Sequence, residues 1–515
     1  MSNGAPLSKR LDYISCEKKR WRNATRNVDV TPQLTFQPSS KEDLIEIIQD
    51  AESRGLRVRA VGSGHSFSHA AAPAIPDYFV EMFKLNTCSL YEAALKPGLC
   101  DRHFVKAQAG LRIKCLNKKL FKLGLALDNM GAFDWQTVSG ALSTGTHGTG
   151  INQPAFPDMV RAIILIGSGG KVSQIEPRDG ITDPSDFEKF EQNKGIELIQ
   201  DDDIFYSVVL SLGGMGLIYE LVLEVSPKYW IKETRSVLDW ETELKPKLLN
   251  GYFKKLVEER YDFVSFRVNP YKTFSKKLGK EVQLCALAVQ KKYPWNQRPP
   301  ERGWAARSKN VLSTILGDLG IMSWIIVRWL NWRPASTPNS INNVIKGTRD
   351  KLFVGRSYKV LYQTGLSIRK HGISSEFSFP VDYRRLVDLI EGVCDHLEDC
   401  RTNHKVYQTS HIPVRFVPQS QAYLSPCCDG PRMFVDFPTL EDVKGRKEIM
   451  NLTQHHLIEM KGGVPHWGKV NEHIYNKPGF IDTHYPKAKR WREIRRKLDP
   501  KGTFLSDFIK KMGLE

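Results

Sequence analysis

RVRAVGSGHSFSHA, residues 57–70, begins as a buried strand and ends as something else. Val58, Ala60 and Val61 are apolar, and Gly62, Ser63, Gly64, His65, Ser66, Phe67 and Ser68 follow without a break. A strand that runs straight into glycines and hydroxyls presents consecutive backbone N–H groups in a turn free to adopt positive φ. Such a concave run of donors is an anion site, and a dinucleotide pyrophosphate fits it. The spacing is not a Rossmann fingerprint, because no third glycine opens a helix after Gly64. Taken alone, the stretch reads more readily as a tight turn than as a cofactor nest.

A second loop changes that balance. SGALSTGTHGTG, residues 139–150, packs four glycines, two serines, three threonines and a histidine into twelve positions. It is expected to lack the apolar groups to hold itself together, so its backbone needs a partner. A flat ligand with polar edges, such as an isoalloxazine ring, meets that need. Two glycine–hydroxyl loops, each attached to a strand–helix unit, point to a nucleotide cofactor.

Outward from these loops, the first 225 residues alternate strand and helix signals. QLTFQP reads as a strand and SSKEDLIEIIQDAESRG as a helix, with Ser40 as N-cap, Asp43 completing a capping box and Gly55 as the stop. VKAQAG is a strand and LRIKCLNKKLFKLG a helix, whereas LALDNMGAFDWQTVSGALSTGTHGTG reads as one long polar loop. VRAIILIGSGGKVSQI is a strand pair, and DIFYSVVLSLGGMGLIYELVLEVSP a short helix, a glycine turn and a strong strand. From about Lys228 longer amphipathic pieces and more Trp and Pro appear. NQRPPERGW is a loop, YRRLVDLIEGVCDHLEDC a helix, and PVRFVPQSQAYLSP and RMFVDFP strands. The C-terminus reads as a helix, a Pro–Gly turn and a docking segment. The expected division is an N-terminal extension over 1–27, one unit over 28–227 and another over 228–515.

The 515 residues carry a net charge of +18, which suits anionic ligands or a membrane surface. The basic residues are dispersed and no nucleic-acid fingerprint accompanies them, so no nucleic-acid partner is expected. Nine cysteines without framework spacing and without any Cys-x-x-Cys suggest a reducing compartment and no metal site. The N-terminus lacks the apolar segment of a signal peptide, so the expected location is cytoplasmic or peripheral on an intracellular membrane, not secreted. VLSTILGDLGIMSWIIVRWLNW, residues 311–332, is interrupted by Asp318 and Arg328 and falls short of a membrane span. A partly buried helix with an exposed apolar face is expected there, with peripheral membrane contact as the alternative.

VGSGHSFS, GALSTGTHGTG and SLGGMGLIYELVLEV, with the late PHWGKV and the terminal RRKLDPKGTFLSDF, together resemble the flavoenzymes of vanillyl-alcohol-oxidase type. Within them they are most similar to the sugar-lactone and alditol oxidases. The motifs stand in the family's order along nearly the whole chain; residues 235–350 match nothing recognisable. The resemblance implies an α+β fold, a two-subdomain PCMH-type FAD-binding domain followed by an α+β substrate or cap domain. It implies FAD held by Gly62, Ser63, Gly64, His65, Ser66, Phe67 and Ser68 at the pyrophosphate. Gly140, Ser143, Thr144, Gly145, Thr146, His147 and Gly148 would lie along the flavin, and Gly216 and Ile218 toward the adenine. His65 matches the position that carries the flavin covalently through its 8α carbon; the alternative is a histidine that hydrogen-bonds a phosphate or carbonyl. His147 is expected to support backbone geometry, and His69 to be a surface or supporting residue.

The same resemblance places Lys469, from PHWGKV, at the flavin–substrate region as a fixed cation, with Trp467 as packing and His466 as either an acid/base or a structural group. Arg415 matches the arginine of a Glu-x-Arg strand, but Pro413 stands where the family has glutamate. Proline carries no carboxylate. Glu376, His411 and Tyr407 are the candidates to supply the missing function, and both Glu376 and Arg415 also read as structural ion-pair partners. The expected activity is hydride removal from a CH–OH group of a small sugar-lactone- or polyol-like substrate, with reduced flavin reoxidised by O2 or another acceptor. Two other readings remain open. One is a divergent flavin enzyme for a larger metabolite, with a pocket lined by aromatics of residues 304–332. The other is a membrane-associated flavoprotein without alcohol oxidase activity.

Overall fold

Lys41–Ser53 forms the expected helix in the computed structural model, which describes residues 7–72, 77–276, 278–300, 321–347, 351–363 and 372–515. The Ser40 hydroxyl accepts from the Asp43 N–H while the Asp43 carboxylate accepts from the Ser40 N–H, so the first turn is capped from both sides. Leu44, Ile47, Ile48 and Ala51 recur at helical spacing and are buried. After the helix the chain enters the strand Val58–Val61. This strand is the edge of a four-stranded sheet, parallel to Tyr78–Glu81, which is parallel in turn to Leu34–Phe36. The residues just past its C-terminal end are Gly62–Ser66, where ligands of parallel sheets bind.

A second, seven-stranded sheet is almost wholly antiparallel and is built around Leu217–Pro227, with Val160–Ile166 on one side and His103–Gln108 on the other. Between the two sheets the long polar segment is not all loop. Val138–Ser143 is a short helix whose N-cap Thr137 accepts from the Gly140 N–H, and Val138, Ala141 and Leu142 are buried. Those three apolar residues, spaced i, i+3, i+4, are enough to anchor one side of it. The loop is therefore less dependent on a partner than its glycine content suggests.

The largest sheet, of eight strands, is antiparallel throughout. Its order is Lys351–Arg356, Tyr229–Asp239, Leu284–Pro294, Phe263–Val268, Ile412–Val417, Arg432–Leu440, Gly372–Pro380 and Val464–Pro465. Alternation splits its faces. Val264, Phe266, Val414, Phe416, Val435 and Phe437 share one face, and Phe253 and Tyr383, each on a helix, pack their rings against Phe416. The opposite face carries Ser265, Arg267, Arg415, Asp436, Ser374 and Glu376. One detail of this region differs from expectation. The strand that begins at Ile412 stops at Val417 rather than running on to Pro426, because Pro418 has no N–H for the ladder. Of the 311–332 segment, Ile321–Trp332 is helical with Trp324, Ile325, Trp329 and Trp332 exposed, and residues 301–320 lie outside the described residues.

Loop and sheet are joined directly. The Thr149 hydroxyl donates to Val264 O at 2.6 Å and accepts from the Phe416 N–H, and the Gly150 N–H donates to Phe416 O at 2.8 Å. The end of the glycine–threonine loop is thereby pinned across two paired strands of the eight-stranded sheet. From the C-terminal part, Trp491 donates to Ser207 O and Leu210 O, and the Val58 N–H donates to Thr503 O. No helix among the described residues is long and apolar enough to cross a membrane.

Candidate active site

Val58–Val61 delivers its following residues into a cleft of ≈ 790 Å³, open to solvent. Gly62–Ser66 form one wall. Gln136, Thr137, Ser139, Gly140, Ser143 and Thr144, around the short helix, form the second, and Leu212, Gly213, Gly216 and Ile218 the third. Glycine at 62 is required by close approach, since a Cβ there would overlap the Thr137 hydroxyl. At Gly213 φ is +71° and a Cβ would lie 2.8 Å from the Arg59 guanidinium.

Gly62, Ser63, Gly64, His65, Ser66, Gly140, Ser143, Thr144, Gly216 and Ile218 thus line one cleft. Phe67, Ser68, Gly145, Thr146, His147 and Gly148 stand outside its lining. The Phe67 N–H donates to Gly468 O and the Ser68 hydroxyl to Trp467 O, which ties the loop to PHWGKV. The Thr146 hydroxyl accepts from Gln136, and Gly148 abuts Asn129 and Met130. His69 is near Tyr475 and Glu472 at the surface.

Two observations fit this cleft to an anionic dinucleotide. Ser63 Oγ is buried without a hydrogen-bond partner. Arg59 is a buried cation whose guanidinium donates to the carbonyls of Ala70, Leu212 and Gly213 while its Nε has no partner. Burial lowers its pKa to about 10, so it remains charged at neutral pH. Glycine walls, an idle hydroxyl and a buried cation together suit a pyrophosphate. His65 is half-buried at the cleft, with its ring edge-on to Phe133 at 4.6 Å.

The predicted catalytic residues converge on Glu376. Its carboxylate is 2% exposed, and around it stand Arg415 Nη1 at 3.4 Å, Lys469 Nζ at 3.7 Å and His147 Nε2 at 3.8 Å. Lys469 is also 3.3 Å from Asp436, which accepts from the Ser374 hydroxyl. The strand Gly372–Pro380 places Glu376 directly across from Asp436, and the next strand over places Arg415 across from Ser265. Arg415 and Lys469 keep 20% and 21% of their side chains accessible, against 2% and 8% for Glu376 and Asp436. The carboxylates are sunk and the cations are offered outward.

Burial disfavours the charged form of Glu376, but the cations Lys469 and Arg415 outweigh it and hold the carboxyl well below the usual carboxylate range. Burial drives His466 down to about 3. Its Nδ1 accepts from the Gly468 N–H and its Nε2 donates to Gly145 O, so it is a neutral structural imidazole with both nitrogens engaged. His147 is likewise lowered by burial, donates from Nδ1 to Gly148 O, and leaves Nε2 without a partner. His147, Glu376 and His466 lie within 4.8 Å of one another, but His466 has no lone pair to spare for a metal. Of the other two candidates, Tyr407 packs edge-on to Tyr271, and His411 is lowered to about 3 by burial and Arg267.

Sequence reasoning missed Asp436, Ser374, Arg59 and Gln136. One signal was available for Asp436, a single acid in the otherwise apolar strand RMFVDFP.

A family model described as D-arabinono-1,4-lactone oxidase matches residues 224–512. The chain belongs to this family. A model described as FAD binding domain matches residues 32–176, which contain both glycine–hydroxyl loops. The family match also takes in residues 235–350, where motifs alone found nothing. The chain is 24% identical to an L-gulonolactone oxidase of Scyliorhinus torazame, over 96% of this chain and 98% of the relative. It is 22% identical to an L-gulono-1,4-lactone dehydrogenase of Mycobacterium tuberculosis, with the same coverage. Among solved structures it is similar to cholesterol oxidase from B. sterolicum, with a TM-score of 0.73 at 12% identity, over 99% of this chain and 100% of that one. This family member is an FAD-dependent oxidoreductase with an α+β, PCMH-type fold.

Proposed function

We propose that the chain oxidises a carbinol carbon of a small sugar-lactone- or polyol-like substrate to the carbonyl, the electrons passing on to O2 to give hydrogen peroxide. The observation that carries this reading is the pair of outward-facing cations, Arg415 and Lys469, anchored on one buried carboxylate. The names of the full-length relatives support a lactone substrate, and they include both oxidase and dehydrogenase. FAD, when bound, accepts the hydride. Gly62–Ser68 would hold its pyrophosphate, Gly140 and Ser143–Gly148 would run along the flavin, and Gly216 and Ile218 would meet the adenine. In this reading residues 28–227 form the cofactor domain, 228–515 the substrate domain, and 1–27 an extension.

The remaining work falls to side chains. Arg415 orients the substrate oxygen, and Lys469 stabilises negative charge that develops during transfer. The hydroxyl proton goes to His147 Nε2, a buried ring nitrogen without a hydrogen-bond partner, and Glu376 balances the imidazolium that results. His466 fixes the Gly145 and Gly468 backbone. Anaerobic bleaching of the yellow protein by a panel of lactones, alditols and aromatic alcohols tests the reading. It fails if Arg415→Ala and Lys469→Met bleach as fast as the wild type.

His65 is proposed to carry the flavin covalently, supported by its place in the cleft wall. Acid precipitation should leave the colour in the pellet; colour wholly in the supernatant refutes the bond. Peripheral contact with an intracellular membrane would run through the helix Ile321–Trp332, where Arg328 lies over Trp324, and Arg333 over Trp332.

A further inference from the structure

Arg267 occupies the polar face of the eight-stranded sheet, two residues along from Ser265, the partner of Arg415. Directly across from it is Pro413, where the resemblance expects a glutamate. The substitution therefore removes a carboxylate from the position facing a guanidinium. Among the described residues, Arg267 donates only to Gln363 Oε1, at 3.2 Å. The nearest acid, Glu233, is already engaged: Arg235 lies 2.6 Å away, and Gln290 and Gln363 both donate to its other oxygen.

The ion pairs around it set the same residue apart. Arg235 pairs with Glu233, and Arg415 and Lys469 with Glu376 and Asp436. Beside these three cations, Arg267 has no ion pair among the described residues. Burial lowers the Arg267 pKa to about 10, so the charge persists at neutral pH. Arg267 is half-buried, and a charge partly withdrawn from water and without an ion pair favours an anionic partner. The Gln363 N–H donates to Ala132 O, and the following Phe133 lies against His65. Arg267 thus shares a face with the Glu376 group and is linked through Gln363 and Ala132 to the residue before Phe133, which packs on His65.

We propose that Arg267 is a carboxylate-binding residue and that the substrate is a sugar acid, a small polyol bearing a carboxylate as well as the carbinol to be oxidised. This rests on the carbinol-oxidase reading above and narrows its substrate class. Pro413 in place of glutamate then acts as a specificity change, leaving the guanidinium for the substrate.

The test compares a neutral sugar lactone with the open-chain acid made by hydrolysing it, as reductants of the holoenzyme's flavin under anaerobic conditions. The acid is expected to show a KM lower by about tenfold or more, the value of one charge-assisted hydrogen bond. Arg267→Met should cancel that preference mainly through KM, as loss of uniform binding does, and Arg267→Lys should restore part of it. Methionine fills similar volume and removes a half-buried charge, so the variant is expected to fold. As a second readout, succinate, which has no carbinol, should perturb the oxidised flavin's absorbance saturably in the wild type and not in Arg267→Met. Equal KM for acid and lactone, or an acid-to-lactone ratio unaltered in Arg267→Met, overturns the proposal while the oxidase reading stands. If neither compound reduces the flavin, the oxidase reading fails. The succinate titration then decides on Arg267 alone, an Arg267-dependent shift supporting anion binding and no shift overturning it.

Discussion

Glu376 binds two cations and faces one imidazole, and its removal has consequences that separate stability from chemistry. Glu376→Gln keeps the shape and deletes the charge, leaving Arg415 and Lys469 without their shared anion. Chemical denaturation should show a loss of about 3–5 kcal/mol, the cost of breaking a buried ion pair from one side. The pH dependence has a definite sign. The Glu376 pKa is depressed in the folded state, so its stabilising contribution is fully present above the ordinary value of 4.5 and disappears only as pH falls through the lower folded value. His147 is depressed below 6.5, so its base form survives below that pH. The acid limb of kcat/KM should therefore lie below pH 6.5; a limb at or above 6.5 would exclude His147 as the proton acceptor. Arg415, Lys469, Glu376 and His466 were legible because motifs carry them. Asp436 and Arg267 were not, because each gains meaning only from the residue across the sheet, and register cannot be read from one strand.

Among the elements, the strand Val58–Val61 and the short helix Val138–Ser143 lead into two walls of the cleft proposed to hold FAD, and their contact at Gly62 and Thr137 is tight. Gly62→Ala should weaken FAD retention, measured as the flavin-to-protein ratio after gel filtration, because the new methyl displaces the Thr137 hydroxyl. Thr137→Ala should cost about 1 kcal/mol through loss of the N-cap. Retention of full flavin content in Gly62→Ala would mean that the wall is looser than its geometry. The capped helix Lys41–Ser53 was legible to the residue, since capping box, periodicity and terminal glycine agree. The helix Val138–Ser143 was not, since its one apolar side is short and lies among glycines and hydroxyls. Pro418 ended a strand that hydrophobic pattern alone extended.

For the molecule as a whole, the division of labour follows from sheet faces. One face of the eight-stranded sheet is apolar and covered by helices; the other is charged and receives the loop pinned by Thr149. The order of motifs made the fold class legible, while the middle third was opaque because it contributes strands rather than signature residues. The charge of +18 and the exposed Trp324, Trp329 and Trp332 have a consequence at this scale too. Co-sedimentation with anionic vesicles should exceed that with neutral ones, fall with salt, and drop when Trp324 and Trp329 are replaced by serine; equal pelleting with both would refute the contact. The central claim is that first-half loops hold FAD while Arg415 and Lys469, anchored on Glu376, act on the substrate beside it. Stopped-flow anaerobic reduction of the bound flavin measures it most directly. A sugar lactone or its acid should bleach the wild type, with Arg415→Ala and Lys469→Met each slower by about 10²-fold or more at equal flavin content; variants that bleach at the wild-type rate would contradict it.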